Sequence, residues 1–298
     1  MNFSIASTID EALAALDAGA RPIAGGSDLM VGHRQGKAPL PNDVVAIDRI
    51  AELGRIEQHD GGLTIGALVS HHVIEHHPVI ASLWSALSDA SALVGSPATR
   101  NVGTIGGNVM NASPAMDTGA PLVVLGAEVE LVSVHGLRRL PIAELWTGPG
   151  RTTAASNELC TAVHLPAVAE HSGSAYVRLE YRRAMEIAVV GAAASVVLNE
   201  DAVASIAVAL TAVAPTIISV DGLDDLTGRP IDDALLAAVA ERAAAQARPI
   251  SDLRASDRYR RHTVGVMARR SVEAAARRAR GELVPVPVNR SVGIGAAS

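Results

Sequence analysis

Residues 100–117 read Arg100-Asn-Val-Gly-Thr-Ile-Gly-Gly-Asn-Val-Met-Asn-Ala-Ser-Pro-Ala-Met-Asp117. This stretch holds three glycines and three asparagines and ends in a carboxylate, but it has no histidine, cysteine or lysine. Glycine lets the backbone approach a ligand closely, and successive N–H groups in a glycine turn form a concavity for anions. The stretch therefore has the composition of a binding loop rather than of an acid–base centre.

A second glycine turn, Ala24-Gly-Gly-Ser-Asp28, lies between a predicted strand at 21–24 and a predicted helix at 29–33. We expect Ser27 or Asp28 to cap that helix. A phosphate beside the two glycines would then meet the positive end of the helix. By itself a Gly-Gly pair indicates only a tight turn.

The two glycine turns together indicate a dinucleotide site. Each turn follows an apolar segment, and two such turns are able to bind a pyrophosphate from opposite sides. Thr104 and Asn108 add a hydroxyl and an amide, and Asp117 offers an acceptor for ribose or ribityl hydroxyls. Neither turn matches G-x-G-x-x-G or G-x-x-x-x-G-K-S/T, which disfavours NAD or ATP bound in those ways.

The amino-acid composition of the chain argues against several classes of function. The 298 residues are 49% hydrophobic but only 2% aromatic, and the formal net charge is -6, so we expect no nucleic-acid partner. The single cysteine, Cys160, cannot form an internal disulfide or hold an iron–sulfur cluster. The chain shows no signal-peptide pattern and no apolar run of the roughly 20 residues that a membrane span needs, so we expect a cytoplasmic protein.

Apolar periodicity predicts an α+β chain in three parts with a tail. The predicted parts are an N-terminal α/β lobe (1–57), a central lobe (58–170), a C-terminal α+β domain (171–282) and an extended tail (283–298). In the central lobe we predict a helix at 83–93 and strands at 122–125, 129–134, 139–142 and 159–165. In the C-terminal domain we predict three strands, followed by helices at 232–248 and 257–280.

The two glycine turns resemble the flavin-binding signatures of one enzyme family. Pro22-Ile-Ala-Gly-Gly-Ser-Asp-Leu29 and Thr104-Ile-Gly-Gly-Asn-Val-Met-Asn-Ala-Ser-Pro-Ala-Met-Asp117 are similar to those of the FAD subunit of molybdenum hydroxylases. That family includes xanthine, carbon monoxide and nicotine dehydrogenases. The resemblance continues in order through 63–69, 145–150, 157–166 and 176–183, so it covers nearly the whole chain.

The resemblance implies a two-lobed FAD-binding fold of the PCMH/vanillyl-alcohol-oxidase type, followed by a three-stranded sheet with helices. FAD would lie extended between the first two lobes. The implied FAD-binding residues are Ala24, Gly25, Gly26, Ser27, Asp28, Leu29, Val94, Gly95, Thr104, Ile105, Gly106, Gly107, Asn108, Asp117, Leu159, Cys160 and Arg178. Arg178 departs from the family, which commonly has lysine there. A cation near the N1–C2 carbonyl edge of the flavin would stabilise its anionic reduced form.

The resemblance also implies partners. Substrate would be oxidised at a molybdenum cofactor in a large subunit, and [2Fe-2S] clusters in a small subunit would pass the electrons to FAD in this chain. An external acceptor would then take them. The family suggests a dimer of heterotrimers, and no side chain of this chain needs to act as a general acid or base.

Two other hypotheses stay open at this stage. His72-Val-Ile-Glu75-His76 matches the H-x-x-E-H pattern of a class of zinc peptidases, although Pro78 follows closely and no third ligand stands out. The second hypothesis is that the chain is a non-catalytic scaffold that has lost flavin. A Cys160–His164 nucleophile pair is disfavoured, because the two residues would lie about 13 Å apart on a strand.

Overall fold

The computed structural model describes residues 2–36 and 39–290. The N-terminal part forms a parallel sheet in the order β1-β3-β2, made of β1 (Asn2–Ile5), β2 (Arg21–Ile23) and β3 (Asp43–Ala46). Helix α1 (Ile9–Asp17) joins the first two strands, and α2 (Ser27–Arg34) follows the second. The hydroxyl of Thr8 accepts the Glu11 N–H and so caps α1.

The central part is built on a five-stranded antiparallel sheet and a run of short helices. The strands, in the sheet order β4-β5-β10-β6-β7, are β4 (Ile56–His59), β5 (Gly62–Gly66), β10 (Leu159–Leu165), β6 (Glu128–Ser133) and β7 (Gly136–Pro141). The helices are α3 (His71–His76), α4 (Pro78–Leu83), α5 (Ser85–Ser91), α6 (Pro97–Val102), α7 (Ile105–Asn111), α8 (Gly119–Val124) and α9 (Ile142–Leu145). A small hairpin, β8 (Trp146–Gly148) with β9 (Arg151–Thr152), precedes β10.

Three local predictions for this part are wrong. Residues 122–124 belong to helix α8 and not to a strand, because so short an apolar run carries no readable period. The helix predicted at 83–93 is divided between α4 and α5 at Trp84, a fully buried side chain whose indole N–H donates to the Pro166 carbonyl at 3.2 Å. The stretch 100–117 contains helix α7 rather than only a loop, since Thr104 caps a new helix there.

The C-terminal part is an antiparallel sheet with two long helices. Its strands are β11 (Ser172–Leu179), β12 (Val190–Asn199), β13 (Ala202–Thr211) and the short β14 (Ile218–Ser219), so a fourth strand joins the predicted three. The helices are α10 (Asp233–Gln246) and α11 (Asp257–Ala279). Alternate residues of β11 enter different cores: Ala175 and Val177 pack with α11, whereas Tyr176 packs with the central helices.

A buried ion pair joins the central and C-terminal parts. The carboxylate of Asp89 on α5 is fully buried and accepts two N–H groups of Arg278 on α11, at 2.6 and 3.0 Å. It also accepts the backbone N–H of Val288 at 2.9 Å. The start of the predicted tail is therefore packed against the domain, while residues 291–298 lie outside the described part. Among the described helices, none is both long and apolar enough to cross a membrane.

Candidate functional site

A cavity of about 980 Å³ lies where the N-terminal lobe meets the central helices. Both glycine turns line it, and so do the beginning of β10 and the loop between β11 and β12. Ligand pockets commonly have volumes of roughly 300–1,000 Å³, so this cavity is at the large end of the range. Its size and its two glycine turns suit an extended ligand such as a dinucleotide.

The first glycine turn presents an open helix end. Gly26 is the N-cap of α2, with a φ of 67°, and no side chain caps the N–H groups of the first helical turn. The predicted capping role of Ser27 or Asp28 is therefore wrong, because both residues lie inside that turn. Uncapped N–H groups at the positive end of a helix form an anion site.

Gly25, the second residue of the first glycine turn, lets the two glycine turns pack together. A Cβ atom on Gly25 would lie 1.7 Å from the carbonyl oxygen of Val102, so only glycine fits between them. Val102 ends α6, directly before the second glycine turn. Packing within the protein thus accounts for Gly25.

Most N–H groups of the second glycine turn already have partners. Ile105 and Gly106 donate to carbonyl oxygens of Val69 and Ala67, at 3.0 and 2.9 Å. The hydroxyl of Thr104 accepts the N–H of Gly107 at 3.1 Å, which caps α7. This turn therefore contributes shape and side chains to the cavity rather than an open set of amides.

Gly106 and Gly107 differ in what surrounds them. A Cβ on Gly106 would lie 2.5 Å from the Cβ of Ala67, so packing requires a glycine there. Gly107 is exposed and lines the cavity, and the nearest atom to its added Cβ is the Thr104 hydroxyl oxygen at 3.0 Å. A side chain at Gly107 would enter the cavity, so its absence leaves room for a ligand.

Asn108 is oriented by a buried hydroxyl. Thr118, which is fully buried, donates its hydroxyl hydrogen to Oδ1 of Asn108 at 2.6 Å. This hydrogen bond leaves the NH₂ group of Asn108 as the end that serves a ligand in the cavity.

Asp117 and Arg178, both predicted site residues, belong to one network of buried partners. Oδ1 of Asp117 accepts the Tyr176 hydroxyl at 2.8 Å, and its Oδ2 accepts Nη1 of Arg178 at 2.7 Å. Nε of Arg178 also donates to Glu180 at 2.7 Å. Burial would lower the pKa of Arg178, but Asp117, Tyr176 and Glu180 outweigh burial and raise it, so the arginine is always charged.

The loop between β11 and β12 approaches the cavity beside Val94 and Gly95. Gly95 has a φ of 52°, and its carbonyl oxygen accepts the N–H of Met185 at 2.9 Å. The carbonyl oxygen of Val94 accepts Nη1 of Arg100 at 3.2 Å. These contacts hold the 94–95 turn and the 185–187 segment at one wall of the cavity.

Leu159 and Cys160 line the cavity from the beginning of β10 and are both buried. Burial, with a smaller effect of Glu130, raises the pKa of the Cys160 thiol to about 12. His164 is occupied elsewhere, because it contacts Glu130 at 3.1 Å and Thr64 at 2.9 Å. A neutral thiol without a base is not a nucleophile, which agrees with the sequence-based view.

The cavity brings together nearly all of the predicted site residues. Ile105 and Arg178 are the exceptions: Ile105 is a fully buried core residue, and Arg178 lies behind Asp117. The sequence analysis missed His71, which also lines the cavity, and the 185–187 segment. A signal for the Asp117 network existed, since Tyr176 and Arg178 are two apart on a strand and therefore share a face.

The zinc-peptidase hypothesis is not supported. Ligand atoms of His72, Glu75 and His76 lie within 4.8 Å of one another, but none of these residues lines the cavity. The Glu75 carboxylate is engaged by Nε of Arg100 at 2.8 Å, so it is not free to act as a base. The two histidines are exposed on a helix of six residues.

Two family models match the chain, and together they cover most of it. Residues 1–168 match the model described as FAD binding domain in molybdopterin dehydrogenase. Residues 175–275 match the CO dehydrogenase flavoprotein C-terminal domain.

Named relatives agree with these models. The chain is 30% identical over 269 residues to the putative xanthine dehydrogenase FAD-binding subunit of Escherichia coli, covering 89% of this chain and 91% of that protein. It is 30% identical over 264 residues to the carbon monoxide dehydrogenase medium chain of Hydrogenophaga pseudoflava, covering 88% and 91%.

A solved structure shares the fold. It is a carbon monoxide dehydrogenase from Hydrogenophaga pseudoflava that lacks the Mo-pyranopterin moiety of its cofactor. The TM-score is 0.89 at 28% identity, over 93% of this chain and 98% of that one. The scaffold hypothesis is not supported either, since the relatives are flavoprotein subunits and the cavity keeps its ligand-facing glycine. The chain belongs to the family of FAD-binding medium subunits of molybdenum hydroxylases, and it is an oxidoreductase subunit.

Proposed function

We propose that this chain holds FAD extended along the cavity, with the diphosphate at the first glycine turn. One observation carries the placement: Gly107 faces the cavity, and packing within the protein gives no strong reason for a glycine there. The open end of α2 at Gly26 supplies N–H groups to the same cavity. An extended dinucleotide needs both features, close approach and free donors.

The remaining predicted residues receive roles from their contacts. The residues proposed to hold the diphosphate are Ala24, Gly25, Gly26, Ser27, Asp28 and Leu29, with Thr104, Gly106, Gly107 and Asn108 on the opposite side. Asp117 accepts a hydroxyl of the ribityl or ribose part. Val94 and Gly95 lie beside the flavin ring, and Leu159 and Cys160 contribute backbone contacts.

Ile105 and Arg178 act indirectly in this proposal. Ile105 anchors α7 in the core, since it is fully buried and its N–H donates to Val69. Arg178 orients the Asp117 carboxylate, instead of contacting the flavin ring itself. Tyr176 and Arg178 each donate a hydrogen bond to the Asp117 carboxylate. The side of this carboxylate that faces the cavity is left for the cofactor.

When bound, FAD supplies chemistry that the side chains of this chain lack, because it exchanges electrons singly or in pairs. We propose that FAD receives electrons from [2Fe-2S] clusters of a small subunit and passes them to an external acceptor. A large subunit with a molybdenum cofactor would oxidise the substrate. The names of the relatives, medium chains and FAD-binding subunits, support this division of labour. A dimer of heterotrimers and a cytoplasmic location stay predictions of the sequence analysis.

The cofactor is tested on the chain alone. The purified protein is freed of flavin, and its dissociation constants for FAD, FMN and NAD are measured by quenching of flavin fluorescence or by calorimetry. We expect tight binding of FAD, weak binding of FMN and none of NAD. Equal affinity for FMN would contradict a diphosphate at the first turn, and the absence of flavin binding would overturn the proposal.

The partners are tested in the native host. The protein is purified without harsh washing, co-purifying chains are identified, and iron, molybdenum and FAD are counted per chain. Light scattering gives the mass of the assembly. We expect one small and one large chain per FAD and twice the mass of the heterotrimer. A pure single chain that contains FAD would indicate a stand-alone flavoprotein.

A further inference from the structure

His71 occupies the point where the two glycine turns meet. It is the first residue of α3, it is only 1% exposed, and it lines the cavity. Its backbone N–H donates to the carbonyl oxygen of Gly103 at 3.0 Å. A Cβ placed on Gly103 would lie 3.5 Å from Cδ2 of the His71 ring and 3.9 Å from the Ser27 hydroxyl oxygen. The imidazole and the Ser27 hydroxyl therefore converge on the same glycine.

The hydrogen bonding of the ring identifies its tautomer. Nδ1 of His71 is buried and has no hydrogen-bond partner among the described residues. A neutral imidazole carries one N–H donor and one acceptor nitrogen. Burying an N–H group without an acceptor is the rarer and more costly arrangement, so the unpartnered Nδ1 is the acceptor and Nε2 carries the hydrogen. Burial, together with the charge of Arg100, lowers the pKa of His71 to about 4, so the ring is neutral at pH 7.

The cavity has little positive charge with which to hold a diphosphate. Among the described residues that line it, Arg21 is the only lysine or arginine, and Arg21 is exposed. The anion must therefore be held mainly by neutral donors, which include the open N–H groups of α2, the Ser27 hydroxyl and the Asn108 NH₂ group, and an N–H of the His71 ring would add one more. Hydrogen bonds from neutral donors to an anionic oxygen are about twice as strong as those between neutral groups.

We propose that His71 is a further cofactor-binding residue, whose Nε2–H donates a hydrogen bond to an oxygen of the FAD diphosphate. This inference rests on the proposed function, since it assumes that FAD occupies the cavity. It assigns a ligand to a histidine that belongs to neither glycine turn. It also explains why a polar ring occupies an otherwise closed position beneath both turns.

A purely structural role makes the opposite prediction. If the ring only filled space, phenylalanine would serve as well, and it would remove the cost of an unpartnered buried nitrogen. The variant His71→Phe would then fold at least as stably as the wild type and bind FAD equally well. The proposal expects normal folding but weak binding, so FAD affinity separates the two roles.

Two amide variants identify the nitrogen that donates. In His71→Gln the side-chain NH₂ takes the place of Nε2, and in His71→Asn it takes the place of Nδ1. We expect His71→Gln to keep FAD affinity within about threefold, and His71→Asn and His71→Phe to lose about 10- to 100-fold. Denaturant unfolding of the flavin-free variants serves as the control for folding. Equal affinity of all three variants and the wild type would overturn the proposal.

A spectroscopic measurement on the wild type is independent of any variant. In protein with ¹⁵N-labelled histidine, long-range ¹H–¹⁵N spectra report the tautomer of His71. We expect the Nε2–H tautomer without ligand, and a downfield shift of that hydrogen with FAD or ADP but not with riboflavin. A shift with riboflavin alone, or an Nδ1–H tautomer, would contradict the proposal. If the wild type bound no FAD, the proposed function would fail; if it bound FAD without affecting His71, only this inference would fail.

Discussion

Nη1 of Arg178 lies 2.7 Å from Oδ2 of Asp117, and the arginine side chain is fully buried behind that carboxylate. The two residues are 61 positions apart in the chain, and the pair connects β11 to the segment that follows α7. The cation therefore stands one residue away from the cavity, and its effect on a ligand passes through Asp117. This arrangement separates the positive charge from the group that faces the cofactor.

Removal of the Arg178 charge should lower the stability of the flavin-free protein, apart from any effect on FAD binding. In Arg178→Met, Asp117 and Glu180 lose a buried counter-ion, and we expect the free energy of unfolding to fall by about 3–5 kcal/mol. The control Arg182→Met breaks the pair of an exposed arginine with Glu186 and should cost less than about 1 kcal/mol. Urea denaturation of the flavin-free proteins measures both. Equal unfolding midpoints for the two variants would show that the buried pair is not needed.

Gly107 should be needed for FAD but not for folding. A leucine there would project into the cavity, so we expect Gly107→Leu to bind FAD about 10- to 100-fold more weakly, with less than about 1 kcal/mol change in unfolding free energy. Gly32→Leu is the matched control, because Gly32 lies in α2 with open space around it and does not line the cavity. Fluorescence titration with FAD compares them. The placement of FAD is wrong if both variants bind like the wild type.

Gly25, unlike Gly107, should be needed for folding. Its added Cβ would meet a backbone oxygen, that of Val102, and backbone cannot move aside as a flexible side chain does. We expect Gly25→Ala to lower the unfolding free energy by about 3 kcal/mol even without FAD. Thermal unfolding of the flavin-free protein measures this loss. A variant as stable as Gly107→Leu would mean that the two turns are not packed together in solution.

Cys160 should be unreactive in the native state and should weaken the fold at high pH. A thiol with a native pKa of about 12, against 9.0 when unfolded, stays protonated only in the native state between those values. The unfolded state then binds fewer protons, so stability falls by about 1.4 kcal/mol for each pH unit above 9. In Cys160→Ala this part of the decline should disappear.

The same pKa is tested by labelling. A thiol reagent at pH 8 should modify Cys160 in denaturant but not in the native protein, because the reactive thiolate is absent and the sulfur is buried. Rapid labelling of the native protein, or an unchanged pH slope in Cys160→Ala, would count against the raised pKa.

Sequence patterns were most informative where the signal is local. The strand β10 and the long helices at the C-terminus were predicted, since the apolar patterns that indicate them depend on neighbouring residues. The strand predicted at 122–125 was wrong, because this apolar run ends the six-residue helix α8, which is too short to reveal a helical period.

The family, the cofactor class and most of the residues that line the cavity could be predicted from the sequence, because glycine turns and the residues beside them are contiguous in the chain. The other relationships became visible only in the folded chain. The tertiary structure placed Arg178 behind Asp117 and His71 beneath both turns, and it distinguished the glycines that packing requires from Gly107, which faces the cavity. Those relationships join residues that are tens of positions apart, and long-range packing rather than local propensity brings them together.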